Sequence, residues 1–189
     1  MKKKKPAILL SILTIALASI ACTVFVGGPE YPAAPIPVST EAIGNLEQQV
    51  QAAQTAAVDS GLISLTITET QITSLLAAKL NEQTDPFISD PQVTLRDGEI
   101  QVYGKATQGN LQANVRIILS ASLDAEGKPV INVTSADFGP LPAPDGLTNT
   151  FSAFIGQAFT GSIGPAATGM RLESITISDG IMTLSGRIK

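Results

Sequence analysis

The chain has 189 residues, with 12 Lys and Arg against 16 Asp and Glu for a formal charge of −4, no histidine, no tryptophan and a single cysteine. These counts exclude an intramolecular disulfide, a cysteine or histidine zinc cluster, and every nucleophilic arrangement built on a histidine base. Four of the basic residues are Lys2 to Lys5; beyond Cys22 eight basic residues face sixteen acidic ones, a net −8, which disfavours nucleic acid and electrostatic capture by anionic lipid heads.

The lysine cluster precedes an apolar run, AILLSILTIALASIACTVFV over residues 7–26. Such a charge step holds the start of the chain on the cytoplasmic side and sends the rest of the chain outward. Two readings are open for residues 1–26. In one, a signal is cleaved after Ala21 and Cys22 accepts a lipid, since LASIAC resembles bacterial lipoprotein signals. In the other, the segment stays as a membrane-spanning anchor, because about twenty apolar helical residues match a hydrocarbon core of about 30 Å. Both predict an extracytoplasmic domain anchored to the cell membrane.

Residues 27–39, GGPEYPAAPIPVS, are rich in proline and glycine and predict an extended, weakly structured linker that lifts the domain off the bilayer. Residues 40–58 carry Ile43, Leu46, Val50, Ala53 and Ala57 at spacings of three and four, which predicts a peripheral helix with one thin apolar stripe, capped by Ser39 or Thr40. Residues 61–189 are long enough for one hydrophobic core and one domain.

In that domain LISLTIT alternates and predicts a strand with Ile63, Leu65 and Ile67 on one face. Thr68 followed by Gln71 makes a capping box for a helix from Glu69 to about Leu80, with Ile72, Leu75, Leu76 and Leu80 on one face and Glu69, Gln71 and Lys79 facing outward. A meander comes next: two strands flank the Asp97-Gly98 turn, a third runs from Leu111 with its odd-numbered residues apolar, and VINVTSADF returns. After the breakers at 139–146, LTNTFSAFIGQAFTGSI predicts a second amphipathic helix at 147–160. A final hairpin turns at Asp179-Gly180. The expected fold class is α+β, a curved antiparallel sheet of four to six strands packed against two amphipathic helices, preceded by an anchor and a peripheral helix.

Most carboxylates fall in loops or turns, where solvation and turn geometry account for them. No DxDxDG loop and no phosphate-cradling glycine loop is present. Two tyrosines, six phenylalanines and no tryptophan make a poor platform for sugars or single-stranded nucleic acid. The expectation is a non-enzymatic protein that uses no cofactor and no metal.

The texts TITETQITSLLAAKL, DPQVTLRDGEIQVYGKA and LESITISDGIMTLSGR resemble small anchored bacterial envelope proteins of the tubular lipid-binding superfamily type, including mannan-export accessory lipoprotein-like families and uncharacterised families of Firmicutes and Chloroflexi. The likeness spans about residues 62–187 and rests on the helix start Thr70 to Leu76 and the hairpin Asp97 to Gly104, with Ser74 where asparagine is common. It implies a curved sheet around a long helix that binds a lipid or lipid-linked glycan without catalysis. The expected contacts are Leu75, Leu76, Leu80, Val102, Val115, Ile117, Phe151, Phe154, Ile155 and Phe159. The alternative is a structural or interaction module of the envelope with a solid core, whose helix at 40–58 docks on another chain.

Overall fold

A computed structural model describes residues 23–84, 86–143, 151–152 and 170–188. The elements are β1 (Val24–Phe25), α1 (Thr40–Ser60), β2 (Leu62–Thr68), α2 (Glu69–Asn81), β3 (Ser89–Arg96), β4 (Glu99–Gln108), β5 (Leu111–Leu123), β6 (Pro129–Asp137), β7 (Met170–Ser178) and β8 (Ile181–Ile188). They build a curved sheet system packed against two helices. The two are α1 and α2; the helix expected at 147–160 lies outside the described residues except for Phe151 and Ser152.

The meander forms as the alternation dictates, with β3, β4, β5 and β6 each antiparallel to the next. Ala113, Val115, Ile117 and Leu119 of β5 are fully buried, and Ile100 and Val102 of β4 join them from the facing positions. Asp97 and Gly98 both take positive φ, as do Asp179 and Gly180, the conformation that a two-residue hairpin turn requires. The remaining strands form a second, three-stranded sheet in the order β2-β8-β7, in which Leu62 pairs with Arg187 and Thr68 with Ile181. Its central strand is therefore supplied from the far end of the chain.

One strand is parallel. Val24 and Phe25 pair with Leu111 and Gln112, on the edge of β5 whose later residues pair with β6. This pairing joins residues 24–26, expected to end the signal or anchor segment, to the edge of the sheet.

Helix α2 starts on the expected box: the Thr68 hydroxyl accepts the Gln71 N–H, and the Gln71 side chain accepts the Thr68 N–H at 2.9 Å. Of the residues expected to look outward Lys79 does, whereas Gln71 is buried and Glu69 largely so. Gln71, Thr73 and Ser74 are buried, and each is hydrogen-bonded to another element. Gln71 Nε2 donates to Gln49 of α1, Thr73 Oγ1 accepts the Val93 N–H at 3.0 Å, and Ser74 Oγ accepts the Ser39 N–H at 3.0 Å. The Glu69 carboxylate accepts the Leu95 N–H at 2.8 Å and stands 3.5 Å from Arg96. Val93 and Leu95 lie on an edge strand, so α2 supplies the acceptors that a further strand would have provided.

The two sheets meet at this edge. The Glu69 N–H donates to the Gly180 carbonyl, the Gly180 N–H donates to the Leu95 carbonyl, and the Leu95 N–H returns to the Glu69 side chain, a closed ring of three bonds. At the opposite side of the seam the Leu172 N–H donates to the Gly127 carbonyl.

Residues 27–39 are extended but are held against the domain, which corrects the expected free linker. Asn114 donates its N–H to the Gly27 carbonyl and its side-chain amide to the Pro29 carbonyl. Gly28 lies against the Asn114 backbone so closely that a Cβ would collide with its carbonyl oxygen. Tyr31 donates its hydroxyl to the Asp90 carbonyl, packs edge-on to Tyr103 at 6.5 Å and lies under the Lys105 ammonium, itself paired with Asp90 at 2.8 Å. The buried Gln92 side chain engages both the N–H and the carbonyl of Ile36. Proline removes competing N–H donors, so this strap is tied by side chains more than by a ladder.

Helix α1 is capped by Ser39 and by Gly61 in the left-handed conformation. It packs on β2 and α2. Leu46, Val50 and Ala57 belong to the hydrophobic core, so the stripe is docked on this chain.

Replacing Thr73 by Val keeps the shape and orphans the buried Val93 N–H. We expect a loss of about 1–3 kcal/mol, seen as a lower denaturation midpoint at unchanged slope, with Thr73→Ser close to the parent. Burial, reinforced by the Asp90 carboxylate, pushes the Tyr31 phenol up to about 12. An unfolded phenol ionises near about 10, so the native chain keeps a proton that the unfolded chain loses. The stabilisation is complete below pH 10 and is lost as pH rises toward 12. In a Tyr103→Phe background the remaining phenol should titrate near 12 by ultraviolet absorbance; a midpoint at 10 would show the strap detached.

Candidate functional site

Seven of the ten residues expected to touch a ligand are described, and they come together. Leu76 and Leu80 on α2, Val102 on β4, Val115 and Ile117 on β5, and Phe151 are at most 3 % exposed and belong to one continuous apolar cluster. Leu75 is half-buried and packs against the same cluster. Phe154, Ile155 and Phe159 lie outside the described residues, as does Cys22.

The local reasons differ by element. On α2 the spacing of Leu76 and Leu80 puts both on the face turned to the sheets. On β4 and β5 the period of two sends Val102, Val115 and Ile117 inward, and antiparallel register sets Val102 directly opposite Ile117. Phe151 meets Phe87 edge to face, with ring centres 5.4 Å apart at 88°. That geometry suits the opposite charges of ring face and edge.

The cluster is wider than the sequence reasoning foresaw. Val93, Leu95 and Ile88 are buried with it, as are Leu119, Phe138 and Leu141. Leu119 follows from the same odd-numbered alternation as Val115 and Ile117. Phe138 and Leu141 follow a strand end and lie among glycine and proline, where no periodicity marks them.

The cluster is apolar throughout. The buried polar side chains among the described residues are Gln71, Thr73, Ser74 and Gln92, all neutral, and no buried side-chain nitrogen or oxygen there lacks a hydrogen-bond partner. Four residues with polar character thus line the joints between elements, while the interior between them offers only hydrocarbon and ring surfaces. Among the described residues no group of three His, Cys, Asp or Glu side chains converges as metal ligands.

A separate, open cleft of about 480 Å³ lies at the seam of the two sheets, lined by Leu123, Asp124, Gly127, Arg171, Leu172 and Glu173. Its charges are engaged locally: Asp124 accepts the Glu126 and Lys128 N–H groups, Arg171 donates to the Ala125 carbonyl at 3.3 Å, and Glu173 pairs with Arg187 at 3.1 Å. It is polar, and does not suit an acyl chain.

No family model and no curated protein matches the chain. Among the described residues no helix is long and apolar enough to cross a membrane.

Ile117→Ala removes side-chain volume from a fully enclosed position and should cost about 2–5 kcal/mol by chemical denaturation, whereas Leu75→Ala at the half-buried rim should cost clearly less. A loss under about 1 kcal/mol for Ile117→Ala would mean that the position borders a space able to collapse.

Proposed function

We propose that the protein binds or shuttles a lipid or another hydrophobic ligand at the outer face of the cytoplasmic membrane, without catalysing a reaction. The observation that carries this reading is the convergence of Leu76, Leu80, Val102, Val115, Ile117 and Phe151 in one apolar cluster free of buried charge, within a curved sheet system closed by two helices. An acyl chain needs only such a surface, and apolar sites occur between helices and curved sheets. The resemblance to tubular lipid-binding envelope proteins points the same way and brings a lipid-linked glycan within the ligand class.

The anchor belongs to this reading. Because β1 takes Val24 and Phe25 into the sheet, the apolar stretch left before it is residues 7–22, sixteen residues or about 24 Å of helix. That length falls short of a hydrocarbon core of about 30 Å, which supports a lipidated Cys22 over an uncut spanning segment.

A second reading, an envelope structural or interaction module, is favoured by one specific observation: the same cluster residues are almost fully enclosed. In that case a partner of α1 would use residues other than Leu46 and Val50, whose surfaces are covered by this chain.

The test is native mass spectrometry of the full chain purified from membranes of its own host, with solvent extraction of any bound mass. A stoichiometric acyl-containing adduct, distinct from any covalent lipid on Cys22, is the expected result. A bare chain that also fails to take up a fluorescent fatty acid would overturn the carrier reading in favour of the module.

A further inference from the structure

Eight large apolar side chains are exposed among the described residues, and three of them gather at one end. Val24 (54 % exposed) and Phe25 (56 %) form β1, and Leu111 (43 %) is the direct cross-strand neighbour of Val24. All three stand at the tip of the β4–β5 hairpin, beside the turn through Gly109 and Asn110, with Val24 and Leu111 on one face of the sheet and Phe25, paired with Gln112, on the other. A lone exposed leucine needs no explanation, but three exposed apolar residues gathered at one end of a domain mark an end that meets something apolar.

What the chain attaches at that end identifies the occupant. The residues before Thr23 are the lysine-led apolar stretch 7–22, and the first backbone group fixed in the sheet is the Val24 N–H, which donates to the Asn110 carbonyl at 2.7 Å. At about 3.6 Å of chain per residue, Cys22 stands no more than about 7 Å from Val24. The expected spacer of residues 27–39 cannot lengthen this tether, because it lies after β1 and is bound along the domain.

Charge is arranged to suit. The domain beyond Cys22 carries −8, yet residues 100–123 contain no carboxylate, and their two cations are matched by neighbouring strands: Lys105 pairs with Asp90 at 2.8 Å and Arg116 lies across from Asp137. The tip from Thr107 to Gln112 is uncharged. A bilayer surface bearing anionic lipid would repel most of this domain but not this neutral end.

We propose that the β1–β5 tip is a membrane-docking surface, with Val24, Phe25 and Leu111 seated in the interfacial layer of the bilayer, so that the domain is held against the membrane in one orientation with the hairpin tip down. The proposal rests on the reading that the segment before Thr23 enters the membrane, and it adds that the folded domain itself touches lipid.

The absence of tryptophan makes the test direct. Phe25→Trp, Leu111→Trp and Val58→Trp each place a single reporter at an exposed position, the last on α1, where Val58 is 78 % exposed. Each full-length variant, purified with its anchor, is reconstituted into vesicles of phosphatidylethanolamine and phosphatidylglycerol, with and without brominated acyl chains, and isolated by flotation. The expected result is a blue-shifted emission, quenched at least twofold by bromine, for the Trp variants at 25 and 111, and an aqueous, unquenched emission for the variant at 58. Co-flotation with an aqueous, unquenched signal at 111 overturns the docking surface and leaves the anchor intact. Failure of all three variants to float overturns the anchor and the docking surface together.

Discussion

The structure depends on how the open edge of β3 is satisfied. Its other edge pairs with β4, which leaves the Val93 and Leu95 N–H groups aimed away from the ladder in a buried setting. An orphaned buried N–H costs about 1–3 kcal/mol, so an edge like this needs acceptors. Helix α2 supplies them from two side chains four residues apart, Thr73 and Glu69. The match is geometric: four helical residues advance about 6 Å and two strand residues about 6.7 Å. A helix can therefore serve as the neighbour of a strand for a short distance. Glu69 does more, since the ring through Gly180 and Leu95 fixes the second sheet to the first at the same point.

That junction shapes the interior. With α2 bound at the edge of β3 and the β7–β8 turn bound beside it, the two sheets are joined at one edge. Their apolar faces close around Leu76, Leu80 and the inward residues of β4 and β5. The buried amides and hydroxyls sit at joints between elements, where they fix geometry, and the interior itself is left to apolar packing. Such a division of roles serves a solid core and a hydrophobic site equally, which is why the choice between them is made by a bound mass and not by the packing.

Where periodicity carries the information, the sequence was sufficient. The alternation in β2 and β5, the Thr68–Gln71 box and the two Asp-Gly turns appear in place, because each is set by residues within four positions of one another. What was not legible depends on partners distant in the chain. The outward assignment of Glu69 and Gln71 failed because polarity predicts solvent unless a partner is known, and theirs are Leu95 and Gln49. The 27–39 segment was expected to float for a similar reason: proline and glycine content describes an unpaired chain, and nothing local announces that Gln92, 56 residues away, will hold Ile36. The apolar residues after Cys22 were assigned to the anchor segment, since hydrophobicity alone continues the run and nothing local announces that β5 will pair with Val24 and Phe25.

Strapping residues 23–39 onto the domain changes what an anchor can do. A free linker of thirteen residues would allow a domain to sample a hemisphere above the bilayer, and an acidic domain would spend that freedom away from anionic lipid. Under the proposed anchoring, a chain whose first described strand begins within two residues of Cys22 would lose most of that freedom. On that reading the orientation of the domain would follow the direction of β5, the strand to which β1 is bonded, and the uncharged hairpin tip would be brought to the surface with Val24, Phe25 and Leu111. For a carrier this would fix the distance between the membrane and the apolar cluster, so that exchange would depend on one path along the β4–β5 hairpin rather than on diffusion of the whole domain. For a structural module the same constraint would present α1 at a constant height and angle. In both cases the strap would convert a tether into a mount.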